Sequence, residues 1–146
     1  MNDLRDLYQE VIIDHSQNPR NFHACEHANH IKEGYNPLCG DKITVYVTEK
    51  NGIIKEVCFK GEGCAISMAS ASLMSEVLKG KTIAEFHELF DDFKQLVTGK
   101  NESKKLGKLA VLAGVAEFPM RVKCATLVWH TLNAALHDEK SSVTTE

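Results

Sequence analysis

The chain has 146 residues, 43% of them hydrophobic and 25% charged, which suffices for one domain with a core of its own and no disulfide staples. Its 17 basic and 20 acidic side chains leave a formal charge of −3, which speaks against a nucleic-acid footprint or a membrane surface as partner. No run approaches the ~18 apolar residues of a membrane span. The opening MNDLRDLYQE lacks the basic stretch and apolar run of a secretory leader, so the expected location is the cytoplasm. Thiols stay reduced there. Five cysteines, an odd number, therefore call for a purpose other than disulfides.

Leu4, Leu7, Tyr8, Val11, Ile12 and His15 share one helical face, and Asn18-Pro19 lies beyond the stop. Residues 16–42 are rich in Asn, Pro, Gly and His and are expected to be irregular, with a short edge strand around His30–Gly34. Ile43, Val45 and Val47 alternate with polar residues and predict a half-buried strand. Asn51-Gly52 predicts the turn into a second strand, Ile53 to Lys60, with Val57 and Phe59 on one face. After Gly61-Glu62-Gly63 the period becomes helical: Ile66, Ala69, Leu73 and Val77 mark a helix ending at Gly80. Thr82 and Glu85 form a capping box. Behind it Phe86, Leu89, Phe90, Phe93 and Val97 predict a helix with a core stripe, ending at Gly99. Leu106, Leu109, Ala110, Ala113 and Ala116 predict another, stopped by Phe118-Pro119. Ala125, Val128, Trp129, Leu132 and Leu136 predict the last, and 141–146 form a polar, frayed tail. The sum is an α+β fold over 1–146: a small antiparallel sheet of two to three strands with about five helices packed on it.

Three segments place a reactive side chain where one element gives way to another. In Pro37-Leu38-Cys39-Gly40-Asp41, Cys39 and Asp41 are separated by one residue and can point to one side of the chain. In Gly61-Glu62-Gly63-Cys64, the cysteine is expected to begin a helix, where backbone amides favour an anionic ligand. In Pro119-Met120-Arg121-Val122-Lys123-Cys124, the cysteine is again expected at a helix start. Three thiolates and a carboxylate suit tetrahedral zinc or a labile iron–sulfur unit. Arg121 and Lys123 would offset the negative charge. There is no Cys-x-x-Cys pair, which excludes a zinc ribbon or finger.

At these segments the chain resembles the U-type iron–sulfur assembly proteins, the IscU, NifU and SufU group. The matching stretches are NPLCGDKITVYV, FKGEGCAISMASASLMSEVLKGK and FPMRVKCATLVWHTLNAAL, with NPRNF upstream. Cys64 and Cys124 stand 60 residues apart, and Lys123 occupies the position where IscU-type proteins carry a histidine. Both features resemble the SufU branch. The resemblance implies zinc on Cys39, Asp41, Cys64 and Cys124, with the three cysteines as the cofactor-binding set. It also implies that Cys39 accepts persulfide sulfur from a SufS-type cysteine desulfurase, making the protein a zinc-dependent sulfurtransferase of cluster assembly. Arg121 is the expected supporting cation for Cys39 or the incoming persulfide. The alternative is a scaffold that assembles a transient 2Fe–2S cluster and passes it to downstream assembly or recipient proteins. A structural zinc module without sulfur chemistry is disfavoured by Asp41, since such sites are usually closed by cysteine and histidine.

Other features have plainer readings. Cys25 and Cys58 match no site motif, and Cys58 is expected to pack within its strand. His23-Ala24-Cys25-Glu26-His27 looks like a ligand cluster but falls in an exposed, irregular stretch. His130 and His137 are expected to be structural, and Lys100, Lys104, Lys105 and Lys108 to line a solvated helix start.

Overall fold

A computed structural model describes residues 3–100, 104–137 and 143–144. The elements are α1 (Asp3–Gln17), β1 (His30–Asn36), β2 (Asp41–Lys50), β3 (Ile53–Glu62), α2 (Ala65–Val77), α3 (Ile83–Val97), a 3₁₀ helix (Lys104–Glu117), α4 (Pro119–Leu136) and β4 (Val143–Thr144). The strands run in the order β3-β2-β1-β4.

The sheet is built on two hairpins. Asn51 (φ 54°) and Gly52 (φ 79°) make a two-residue turn of the left-handed kind that suits strand twist. It sets the β2–β3 register, with Val45 opposite Phe59 and Val47 opposite Val57. The second hairpin joins β1 to β2 through residues 37–40, and Asn36 faces Asp41 at its closed end. Ile43, Val45, Val47, Val57 and Phe59 are buried against the helices. α4 crosses β1 and β2, and α2 packs between α4 and α1. The expected aromatic stripe is core: Phe86, Phe90 and Phe93 stack on Trp129 with centroids 6.1, 5.9 and 4.6 Å away. The Trp129 indole N–H donates to Ser70 Oγ, whose hydroxyl donates to the Ala125 carbonyl. The capping box at Thr82 and Glu85 forms as expected.

Three expectations need correction. Residues 104–117 wind as a 3₁₀ helix interrupted at Gly107 (φ 52°, ψ −124°) rather than as an α-helix. Among the buried residues there, Leu106, Leu109, Leu112 and Val115 keep a three-residue repeat that matches a three-residue turn, with Val111 buried beside Leu112. Two glycines further lower the α-helical propensity. At the other end of the chain, Val143–Thr144 does not fray but pairs in parallel with Gly34–Tyr35. The rest of the 141–146 tail lies outside the described residues, as do the side chains of Leu4, Lys104 and Lys105.

The third correction concerns Cys25 and Cys58, expected as separate thiols but joined as a disulfide. Residues 18–29 wrap round the free edge of β3. Asn21 accepts a hydrogen bond from the Phe59 amide at 3.0 Å, and Phe22 packs edge-on against Phe59. Strand alternation turns Cys58 away from the core-facing Val57 and Phe59, and the wrapping segment lays Cys25 over it. Among the described residues no helix is long and apolar enough to cross a membrane.

Candidate metal centre

Cys39 sits in the 37–40 turn, half-exposed, and its amide donates to the Asn36 carbonyl at 3.2 Å. Gly40 (φ 72°) adopts the left-handed conformation that swings the chain from the turn into β2. Asp41 opens β2 and is buried. Its Oδ1 accepts a hydrogen bond from the Cys64 amide at 2.8 Å, which ties the start of β2 to the start of α2. That approach requires Gly63, because a Cβ there would stand 2.7 Å from Asp41 Oδ1.

Cys64 is the N-cap of α2, and its sulfur accepts a hydrogen bond from the Ser67 amide at 3.4 Å. Cys124 differs from expectation. α4 begins at Pro119 with Phe118 as N-cap, so Cys124 lies in the second turn and is buried. Proline at the first helical position explains the earlier start. The electrostatics of a helix start thus apply to Cys64 and not to Cys124.

The fold brings these residues to one place. Ligand atoms of Cys39, Asp41 and Cys124 all lie within 4.8 Å of one another. Burial pushes the Cys124 thiol far above the ordinary thiol range, and hydrogen bonds with Cys39, Cys64 and Asp41 push it the same way. Cys64 adjoins the group through its amide, bonded to Asp41 Oδ1, while its sulfur is not among the atoms within that 4.8 Å. A metal that binds there displaces the thiol proton.

Two buried oxygens, Asp41 Oδ2 and Asn36 Oδ1, have no hydrogen-bond partner among the described residues. An unsatisfied buried polar atom costs about 1–3 kcal/mol, more for a charged group. A cation beside Asp41 would relieve that penalty, and three sulfurs with one carboxylate oxygen fit a tetrahedral zinc ion. Asn36 had escaped attention in the sequence. It is fully buried, and its Nδ2 donates to Cys124 Sγ at 3.6 Å. The available clue was its place in the hairpin, bracketing the Cys39 turn opposite Asp41.

Arg121 is exposed, with its guanidinium 4.3 Å above the Phe118 ring. It lines a cavity of about 310 Å³ together with Tyr8, Ile12, Ile66, Val115 and Phe118. The described contacts thus place Arg121 beside an apolar wall and not on the thiols.

Residues 7–125 match the NifU-like N-terminal domain family. The chain belongs to that family. It is 40% identical over 139 residues to the zinc-dependent sulfurtransferase SufU of Bacillus subtilis, covering 94% of each chain. It is 38% identical over 135 residues to the iron–sulfur cluster assembly scaffold protein IscU of Streptococcus pyogenes, covering 91% of this chain and 84% of that one. Among solved structures it is similar to one described as a putative iron–sulfur cluster assembly scaffold protein for the SUF system, from Fervidobacterium islandicum. The TM-score is 0.83 at 37% identity, over 90% of this chain and 98% of the other. The fold, three antiparallel strands joined at one edge by the short parallel β4 and carrying the helices, agrees with the α+β architecture expected from the sequence.

Proposed function

We propose that this NifU-like protein is a zinc-binding sulfur acceptor of iron–sulfur cluster assembly, serving a SufS-type cysteine desulfurase in the cytoplasm. The observation that carries this reading is the convergence of Cys39, Asp41 and Cys124, with the Cys64 amide bonded to Asp41 Oδ1 and Asp41 Oδ2 buried without a partner among the described residues. Its support is 40% identity, over 94% of the chain, to a zinc-dependent sulfurtransferase.

Cys39, Asp41, Cys64 and Cys124 would hold the ion, which when bound keeps its thiol ligands ionised at neutral pH. Their exposures divide the labour. Cys124 and Asp41 are buried and Cys39 and Cys64 are half-exposed, but Cys64 caps α2 whereas Cys39 sits on a turn beside Leu38, which is 59% exposed. Cys39 is therefore the nucleophile a docking partner can reach. Its thiolate attacks the outer sulfur of the desulfurase persulfide. The partner's S–S bond breaks, its cysteine leaves as a thiolate, and Cys39 carries the persulfide without net oxidation or reduction. Arg121 lies one turn before Cys124 on α4 and is proposed as the cation that meets the incoming anion.

The test is desulfurase turnover with and without the protein. Wild type should accelerate alanine release, and Cys39→Ser should abolish the acceleration. Equal acceleration by Cys39→Ser would overturn the reading. The scaffold reading is favoured by similarity to the IscU protein of S. pyogenes. Lys123 in the position that resembles the IscU histidine weighs against it. Brown protein with bound iron and sulfide from anaerobic cells would favour the scaffold, and colourless protein with one zinc the acceptor.

A further inference from the structure

A second constellation lies apart from the proposed zinc ligands. Cys25 and Cys58 are bonded to each other and buried, while His23 beside them is exposed. Donor atoms of His23, Cys25 and Cys58 lie within 4.8 Å of one another, and His23 Nε2 is 3.9 Å from Cys58 Sγ. The other ring nitrogen, Nδ1, lies 3.3 Å from the Ala24 carbonyl oxygen. A carbonyl only accepts, so in the tautomer that donates from Nδ1 to Ala24 the Nε2 lone pair faces Cys58. A backbone carbonyl holding the far nitrogen is the usual support of a metal-ligating histidine.

The sequence pointed to a different trio. His23, Cys25 and His27 are close in the chain, but it is Cys58, on β3, that completes the group. The wrapping segment is anchored on both sides of the trio, by Asn21 to Phe59 and by the Asn29 amide to Val47. These bonds hold the segment to the sheet on either side of Cys25.

We propose that His23, Cys25 and Cys58 form a second metal site, closed as a disulfide in the oxidised chain and taking one zinc ion once the disulfide is reduced. The reductant is a thiol. Two thiol groups give up two electrons and two protons and become a disulfide, while Cys25 and Cys58 become free thiols. Zinc then displaces the two protein protons and binds two thiolates and the neutral imidazole. Zinc–sulfur bonds of ~2.3 Å require the two sulfurs to separate to roughly 3.8 Å. Only the irregular wrapping segment has to move for that. Water fills the fourth position on the exposed side of His23, so the ion is exchangeable.

The test compares zinc content of the intact protein, oxidised and after phosphine reduction, by native mass spectrometry after removal of loose metal. Reduction should add one zinc per chain. The addition should vanish in the Cys25→Ser/Cys58→Ser double variant, and His23→Ala should weaken the added ion at least tenfold in chelator competition. Because His23 is exposed, its variant tests the site without disturbing the fold. In Cys124→Ser, which addresses the other centre, the reduction-dependent zinc should remain. An unchanged zinc count on reduction, or an added zinc that survives the double variant, would overturn the proposal.

Discussion

Asp41 does two jobs with two oxygens. Oδ1 accepts from the Cys64 amide, and Oδ2 is buried with no partner among the described residues. Asp41→Ala should therefore lower zinc affinity by tenfold or more, measured by chelator competition; unchanged affinity would remove Asp41 from the ligand set. Gly63→Ala tests the same contact from the other side. Its new Cβ would press on Asp41 Oδ1, and overpacking of this kind typically costs about 1–3 kcal/mol, to be read as a lower urea midpoint together with weaker zinc binding. At this scale the sequence was informative about identity and poor about environment. Cys39, Cys64 and Cys124 stood out as cysteines where one element gives way to another. Asn36 did not, because an asparagine before a proline suggests a turn, and only the pairing of Asn36 with Asp41 reveals its burial against Cys124. Cys25 and Cys58 were missed as a couple because 33 residues separate them and the crossing of β3 by an irregular segment leaves no periodic trace.

The elements most visible in the sequence were those with strong local rules. The Asn51-Gly52 turn and the Thr82–Glu85 box were found where expected, since each rests on chemistry within four residues. The 3₁₀ helix was not, because leucine and alanine at mixed three- and four-residue spacing fit both windings. The two assignments differ over Leu112, which is fully buried here and absent from the α-helical stripe. Leu112→Ala should cost about 2–5 kcal/mol of unfolding free energy, and a near-neutral result in urea would count against the three-residue repeat. α1 carries a pH dependence. His15 is buried with Nδ1 2.7 Å from Ser72 Oγ and Nε2 3.8 Å from Glu76 Oε1. Burial holds its pKa below the ordinary histidine value of 6.5. Arg20 and Lys108 act in the same sense, while Glu76 and Asp14 oppose them. The unfolded chain therefore takes up this proton at higher pH than the folded one. The stability contributed is complete above about pH 6.5 and is lost as pH falls through the lower folded value. His130 is shifted in the same direction, chiefly by burial. The urea midpoint should drop between pH 7.5 and 5.5, and His15→Gln should flatten that drop.

Across the whole molecule, one hydrophobic core joins the sheet to α2, α3, the 3₁₀ helix and α4, and the proposed ligands draw on the ends of several of those elements. Metal binding is thereby coupled to folding. A site loaded to a thousandfold above its dissociation constant adds about 4 kcal/mol. Stripping zinc with a chelator should then lower Tm by several degrees, and Cys124→Ser should lower it without chelator. The ligand positions also bear on how the protein is made. Cys39 and Cys64 leave the ribosome well before Cys124, and the helix that seats Cys124 extends to Leu136. The nascent polypeptide cannot complete the proposed coordination sphere until α4 has emerged. Charging with metal would thus have to await the last of the proposed ligands, some 60 residues of synthesis after Cys64.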